Sequence, residues 1–166
     1  MVVQPPSPKW CHLVWTTFHR RRWFKIADAA TFCERAVRAA CVARGWAPDL
    51  VVALPDRVHA LVHVPAAVHR RAVGPPLQRQ VAEALAAARL VPQGTRIWHD
   101  GGWCAVLASP GALMVVRRQL ATRAARLTEA IANGEGRAAR ETTGPRSRER
   151  ARGIPARRQT RLEWLS

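Results

Sequence analysis

Apolar and polar positions alternate over short stretches of this chain and recur at helical spacing over three longer ones. Residues 10–18, "WCHLVWTTF", are rich in β-branched and aromatic side chains and predict a strand. From 28 to 44, Phe32, Cys33, Ala36, Val37, Ala40 and Cys41 repeat at the period of an amphipathic helix, which Gly45 and Pro48 bring to a stop. "DLVVAL" and "VHALVHV" then read as two strands joined at Pro55 and Asp56, a hairpin. A second helix is predicted over 73–90, with Pro75 and Pro76 in its first turn. "RIWHDGGWCAVLA", residues 96–108, predicts a fourth strand region broken at Gly101 and Gly102. Ser109 is placed to cap a third helix that opens on Pro110 and carries the stripe Leu113, Val116, Leu120, Leu127 and Ile131. The order strand-helix-strand-strand-helix-strand-helix predicts an α+β chain of ferredoxin-like, split βαβ type. Its antiparallel sheet would carry helices on one face, with one extra C-terminal helix.

The second hairpin strand is unusual. Val58, Ala60, Val62 and Val64 form one apolar face, whereas Arg57, His59, Leu61 and His63 share the other. An arginine and two imidazoles on one face of a hairpin strand raise the question of whether that strand carries chemistry.

Composition then narrows the class of partner. Of 166 residues, 27 are basic and 11 acidic, a formal charge of +16, which calls for a polyanion such as nucleic acid. The clusters Arg20–Arg21–Arg22, Arg70–Arg71 and Arg117–Arg118 form separate basic patches, and seven Trp offer stacking surfaces for unpaired bases. Cys11, Cys33, Cys41 and Cys104 lack metal-site spacing and read as reduced thiols, two of them in a helical core pattern. With no signal-peptide layout and no apolar run of membrane-spanning length, a cytoplasmic protein without membrane contact is expected. Composition shifts after Asn133: residues 133–166 hold nine Arg and four Glu and few aliphatics. Two regions are therefore expected, a folded domain over 1–132 and a basic, disordered tail over 133–166.

Three blocks in order, "HLVWTTFHRRRWF", "LPDRVHALVHVP" and "IWHDGGWCAVLASPGALMVVRRQLATRAARL", resemble the single-tyrosine HUH transposases of insertion sequences and their REP-associated relatives. The resemblance spans roughly residues 8–131. It implies a hairpin strand whose His-hydrophobic-His pair holds Mg²⁺ or Mn²⁺ on the scissile phosphate of single-stranded DNA. It also implies a tyrosine nucleophile on the final helix and a polar metal-site residue one turn later. It leaves open whether the chain works alone or as a homodimer.

The sequence departs from this pattern wherever chemistry is carried. Arg57 stands at the first histidine's position and His59 at the second; Gln119 aligns with the tyrosine and Arg123 with the residue one turn on. No tyrosine occurs anywhere in the sequence. A guanidinium has no lone pair with which to ligate a metal. His59 is thus the one remaining candidate metal ligand, with a phosphate contact or a satisfied core histidine as its other readings, and no cofactor is expected. Two roles are open to Arg57: a bidentate phosphate contact or a salt bridge to Asp56. Gln119, Arg123 and Arg126 share one side of the last helix and face His59 and Arg57 if that helix packs as the resemblance implies. The expectation is a catalytically inactive, transposase-derived protein that binds single-stranded or hairpin DNA. Arg20, Arg21, Arg22, Arg57, Arg117, Arg118, Arg123 and Arg126 are its candidate contacts. The rival readings are an active transposase or nuclease using unconventional residues, such as Thr122, and an RNA- or protein-interaction module on the same fold.

Overall fold

A computed structural model of the chain describes residues 8–25 and 27–142. Its elements are β1 (Lys9–Thr16), α1 (Ala27–Val42), β2 (Ala47–Leu54), β3 (Arg57–Val64), α2 (Gly74–Ala87), β4 (Trp103–Leu107) and α3 (Pro110–Thr142). The four strands form one antiparallel sheet in the order β2-β3-β1-β4. This is the expected α+β, split βαβ arrangement. Helix α3 continues to Thr142, and the rest of the expected basic tail, 143–166, lies outside the described residues.

The period-two pattern sorts the strands into two faces. Leu13, Trp15, Val58 and Val62 point into the larger core, where they meet Cys33, Val37 and Cys41 of α1 and Leu77, Val81 and Leu85 of α2. The opposite face is covered by α3: Leu120 packs on Leu61 and Val52, with Leu50, Leu54, Leu107, Leu113, Val116 and Ala124 around them. Strand β3 therefore has apolar residues buried on both sides. Cys11, Cys33 and Cys41 are buried free thiols, and burial pushes Cys41 up to about 11, so it stays protonated as a small core hydrophobe.

Element ends follow the chemistry of their residues. Gly45 adopts φ +68° after α1, which lets Trp46 N–H donate to Cys41 C=O at 3.0 Å and closes the helix with a Schellman turn. Ser109 Oγ accepts from Ala112 N–H at 3.1 Å, the expected cap of α3. The two-residue turn between Leu54 and Arg57 is pinned from outside: Thr17 N–H donates to Asp56 C=O at 2.9 Å and Phe24 N–H to Pro55 C=O at 3.1 Å. The outer edge of β2 is blocked by side chains of α1, since Glu34 Oε1 accepts from Ala53 N–H and Arg38 donates to Asp49 C=O.

Two expected strands are shorter than their composition suggested. The first ends at Thr16 because His19 and Arg20 both take φ +54° in a 3-10 turn, Phe18–Arg20. The fourth begins only at Trp103, since Gly101 at φ +72° breaks the pleat, and Trp98 is buried in the core with only an isolated bridge to Thr17.

Because Leu120 is 2% exposed and anchors α3 on its face of the sheet, Leu120→Ala is expected to cost about 2–4 kcal/mol. Urea unfolding checks this; a loss below about 1 kcal/mol would mean that α3 is not held by this contact.

Candidate functional site

Of the sequence-predicted positions, Arg57, His59 and Arg123 come together on the α3 face of the sheet, at the end where β3 begins. His59 is 5% exposed, sandwiched between the sheet and α3. Its neighbour is a residue the sequence reading did not single out. His12, on β1, places Nε2 3.2 Å from His59 Nδ1, and the two rings stack at 5.5 Å. The pairing brings them together diagonally: His59 lies opposite Val14, and His12 opposite Leu61. Trp103 of β4 sets its indole edge-on to His12 at 5.2 Å, closing one side.

This imidazole pair is electrically neutral. Burial lowers His59 to about 4, and His12, Arg123 and Arg57 push in the same direction. His12 is lowered as well, by burial and then by Arg123. Of two neutral rings sharing one hydrogen bond, one donates and the other accepts. His59 Nε2 is buried with no partner among the described residues.

The roll of α3 decides what overhangs this pair. Arg117 donates to Asp49 Oδ2 from Nε at 2.8 Å and from the terminal guanidinium at 2.6 Å, tying one flank of the helix to the start of β2. At about 100° per residue, Gln119, Arg123 and Arg126 occupy the opposite flank. That flank turns toward the end of the sheet holding Arg57 and His59, and Arg123 lowers both imidazoles through its field. Gln119 and Arg126 are solvent-exposed there, and Arg118 points away from the sheet. Thr122 Oγ1 donates back to Arg118 C=O at 3.0 Å, the ordinary fate of a helix threonine.

Of the two roles open to Arg57, the structure forms the salt bridge. Its Nε lies 3.0 Å from Asp56 Oδ1, with a second bond to Oδ2 at 3.3 Å. Arg20 reaches the same Oδ2 at 3.3 Å, so one carboxylate is shared by two guanidiniums and is held below the usual carboxylate range, chiefly by Arg57. Arg21 lies over the Trp23 ring at 5.9 Å, and Arg22 is exposed beside it. His63, at the far end of β3, stacks on Trp10 at 4.8 Å and has no part in the site.

The donor set does not fit a divalent cation. Two imidazoles bonded to each other leave one buried nitrogen without a partner, and the charged groups nearest them are the guanidiniums of Arg57 and Arg123. Among the described residues, no three His, Cys, Asp or Glu side chains gather as ligands would. What the arrangement can do is present guanidiniums to an anion over a neutral, half-dry floor.

No family model and no curated protein matches the chain. Solved structures do. A protein of Deinococcus radiodurans R1 described as a transposase superposes with a TM-score of 0.57 at 16% identity, over 74% of this chain and 95% of that one. A REP-associated tyrosine transposase, solved bound to a REP hairpin, superposes with a TM-score of 0.50 at 12% identity, over 72% of this chain and 67% of that one. The fold is tyrosine-transposase-like. Within this transposase-like fold, the sheet and α3 enclose His59 and His12, with Arg57 and Arg123 beside them and Gln119 exposed on α3.

The neutral imidazoles make a pH prediction. In the unfolded chain a histidine takes up a proton near pH 6.5, whereas folded His59 stays neutral down to about 4. Its contribution is therefore complete above pH 6.5 and is lost as pH falls toward 4, by about 3 kcal/mol. Unfolding free energies measured at pH 7.5 and 4.5 should differ less in His59→Leu than in the parent chain by about that amount. Equal differences in the two proteins would show that His59 is not held neutral.

Proposed function

We propose that the chain is a transposase-derived DNA-binding protein that holds single-stranded or hairpin DNA without cutting it and without a metal. The observation that carries this reading is the makeup of the α3 face. Arg57 and Arg123 lie beside a neutral imidazole pair, Arg20 joins Arg57 on Asp56, and the side chain at the position the resemblance gives to the nucleophile is the amide of Gln119. An amide cannot form the phosphotyrosine-type link that strand transfer needs, and the sequence has no tyrosine to take its place. Guanidiniums suit phosphodiester oxygens, and the hairpin seen on the REP-associated neighbour is a ligand of the same class. The net charge of +16 supports the same partner. Among the described residues no helix is long and apolar enough to cross a membrane.

Asp56 competes with the phosphate for Arg20 and Arg57, so its removal should help binding. Asp56→Asn is expected to tighten hairpin DNA binding severalfold, and Arg57→Ala with Arg123→Ala to weaken it. The double variant should also flatten the dependence of log K on log salt by about 0.7 for each lost single-strand phosphate contact. Fluorescence anisotropy with a labelled hairpin over a salt series reads both. Unchanged affinity and slope would remove this face from the interface. Incubation of the same hairpin with Mn²⁺, followed by a denaturing gel, should show intact DNA; a covalent protein–DNA band or a discrete cleavage product would overturn the non-cutting reading.

A further inference from the structure

An indole offers the largest flat apolar surface of any side chain, and folding ordinarily buries most of it. Of the tryptophans among the described residues, Trp15, Trp46 and Trp98 are buried in the larger core, Trp23 packs against it, and Trp10 lies on His63. Trp103 is the exception, 55% exposed on β4. Strand β4 ends the sheet and pairs on one side alone, with β1, where Trp103 stands opposite Val14. Its ring turns to the α3 face, where the contact with His12 holds the two planes at 89°.

The setting of this ring suits a nucleobase. Its mount is firm, because the backbone is paired to β1 and the indole is braced by His12. Its surroundings are bare: Gly101 and Gly102 precede it without side chains, and among the described residues no guanidinium lies over its face. Its neighbourhood is cationic. Arg123 lowers His12 through its field, so a guanidinium and an indole flank one neutral imidazole. A nucleotide has the matching parts, a phosphate anion joined to a flat base. Single strands leave that base free to stack, whereas a duplex hides it. A second copy of this chain, at +16, would instead bring like charge to the same place.

We propose that Trp103 is a stacking platform for one unpaired base of the bound DNA, next to a phosphate held by Arg57 and Arg123. This rests on the DNA-binding reading of the α3 face and adds to it that the ligand carries an unpaired segment at this point. Stacking on an indole leaves base edges unread, so the platform accepts any base and selects single strand over duplex.

The test compares two labelled hairpins with the same single-stranded extension, one carrying all its bases and one with abasic sites throughout the extension. Their charge is equal and only the stacking faces differ. Fluorescence anisotropy should show the parent chain binding the complete extension about tenfold more tightly. Trp103→Ala should bind both alike, and Trp103→Phe should keep most of the preference. Neither should alter the dependence of log K on log salt, because no phosphate contact is removed. Arg57→Ala with Arg123→Ala should instead weaken both ligands together and flatten that dependence. In the full chain labelled with 5-fluorotryptophan, the Trp103 ¹⁹F resonance is identified by its loss in Trp103→Phe. It should move with the complete extension and stay in place with the abasic one. Equal affinity of the parent chain for the two hairpins overturns the platform, and the arginine face stands if the double variant still weakens binding. If the double variant is also without effect, the DNA reading of the α3 face falls together with the platform. A base preference that survives Trp103→Ala overturns the proposal. So does a Trp103 resonance that moves with protein concentration and not with DNA, which would assign the ring to a second copy of the chain.

Discussion

The roll of α3 about its own axis rests on two contacts of different kinds, and the character of the whole site depends on them. Leu120, inserted against Leu61 and Val52, fixes how deeply the helix sits, but an apolar contact is tolerant of rotation. The Arg117–Asp49 pair supplies direction, because two of its nitrogens engage one carboxylate oxygen on β2. With both guanidinium and carboxylate partly exposed, the pair adds little stability on its own. Its importance is geometric: it turns the flank that carries Arg123 toward the imidazoles.

From that roll follows the electrostatic balance at His59. A buried imidazole beside a second imidazole and beneath a guanidinium cannot carry a proton at neutral pH, so the floor of the site has no charge while its rim is cationic. Asp56 is the carboxylate within that rim, and it is shared by Arg20 and Arg57. A single anion between two cations leaves a net positive charge, and the bidentate Arg57 contact is short-range and replaceable by another oxyanion. On the proposed reading, an external phosphate would exchange with this internal carboxylate for the two guanidiniums.

Much of this was legible in the sequence because it is local. Alternation over 57–64 assigned the two faces of β3 correctly, and Gly45, Ser109 and Pro110 marked helix ends through their own backbone and side-chain chemistry. The apolar stripe of α3 gave its buried side, including Leu120. His12 was not legible, although it lies in a stretch read as strand. Its contact with His59 is set by the register of β1 against β3, partners 47 residues apart in sequence, and no local pattern encodes register. Asp49 was missed for the same reason: its partner is 68 residues away. The excess strand read into 96–102 arose because buried Ile97 and Trp98 look like strand residues, whereas they plug the core from a connecting segment.

Burial also explains why positions 57 and 59 of the hairpin strand have different residues. Position 57 begins β3, with its side chain about one-third exposed and Asp56 adjacent, so an arginine there keeps its head hydrated and paired. Position 59 is nearly sealed between the sheet and α3. A guanidinium there would be buried beside Arg123 with no carboxylate in reach, at a cost of several kcal/mol. An imidazole can occupy that place uncharged, provided a neighbour takes up its hydrogen bond, and His12 does so. The arginine at 57 and the histidine at 59 are therefore two answers to one gradient of burial along three residues of strand, and only the exposed end of that gradient accommodates a permanent charge.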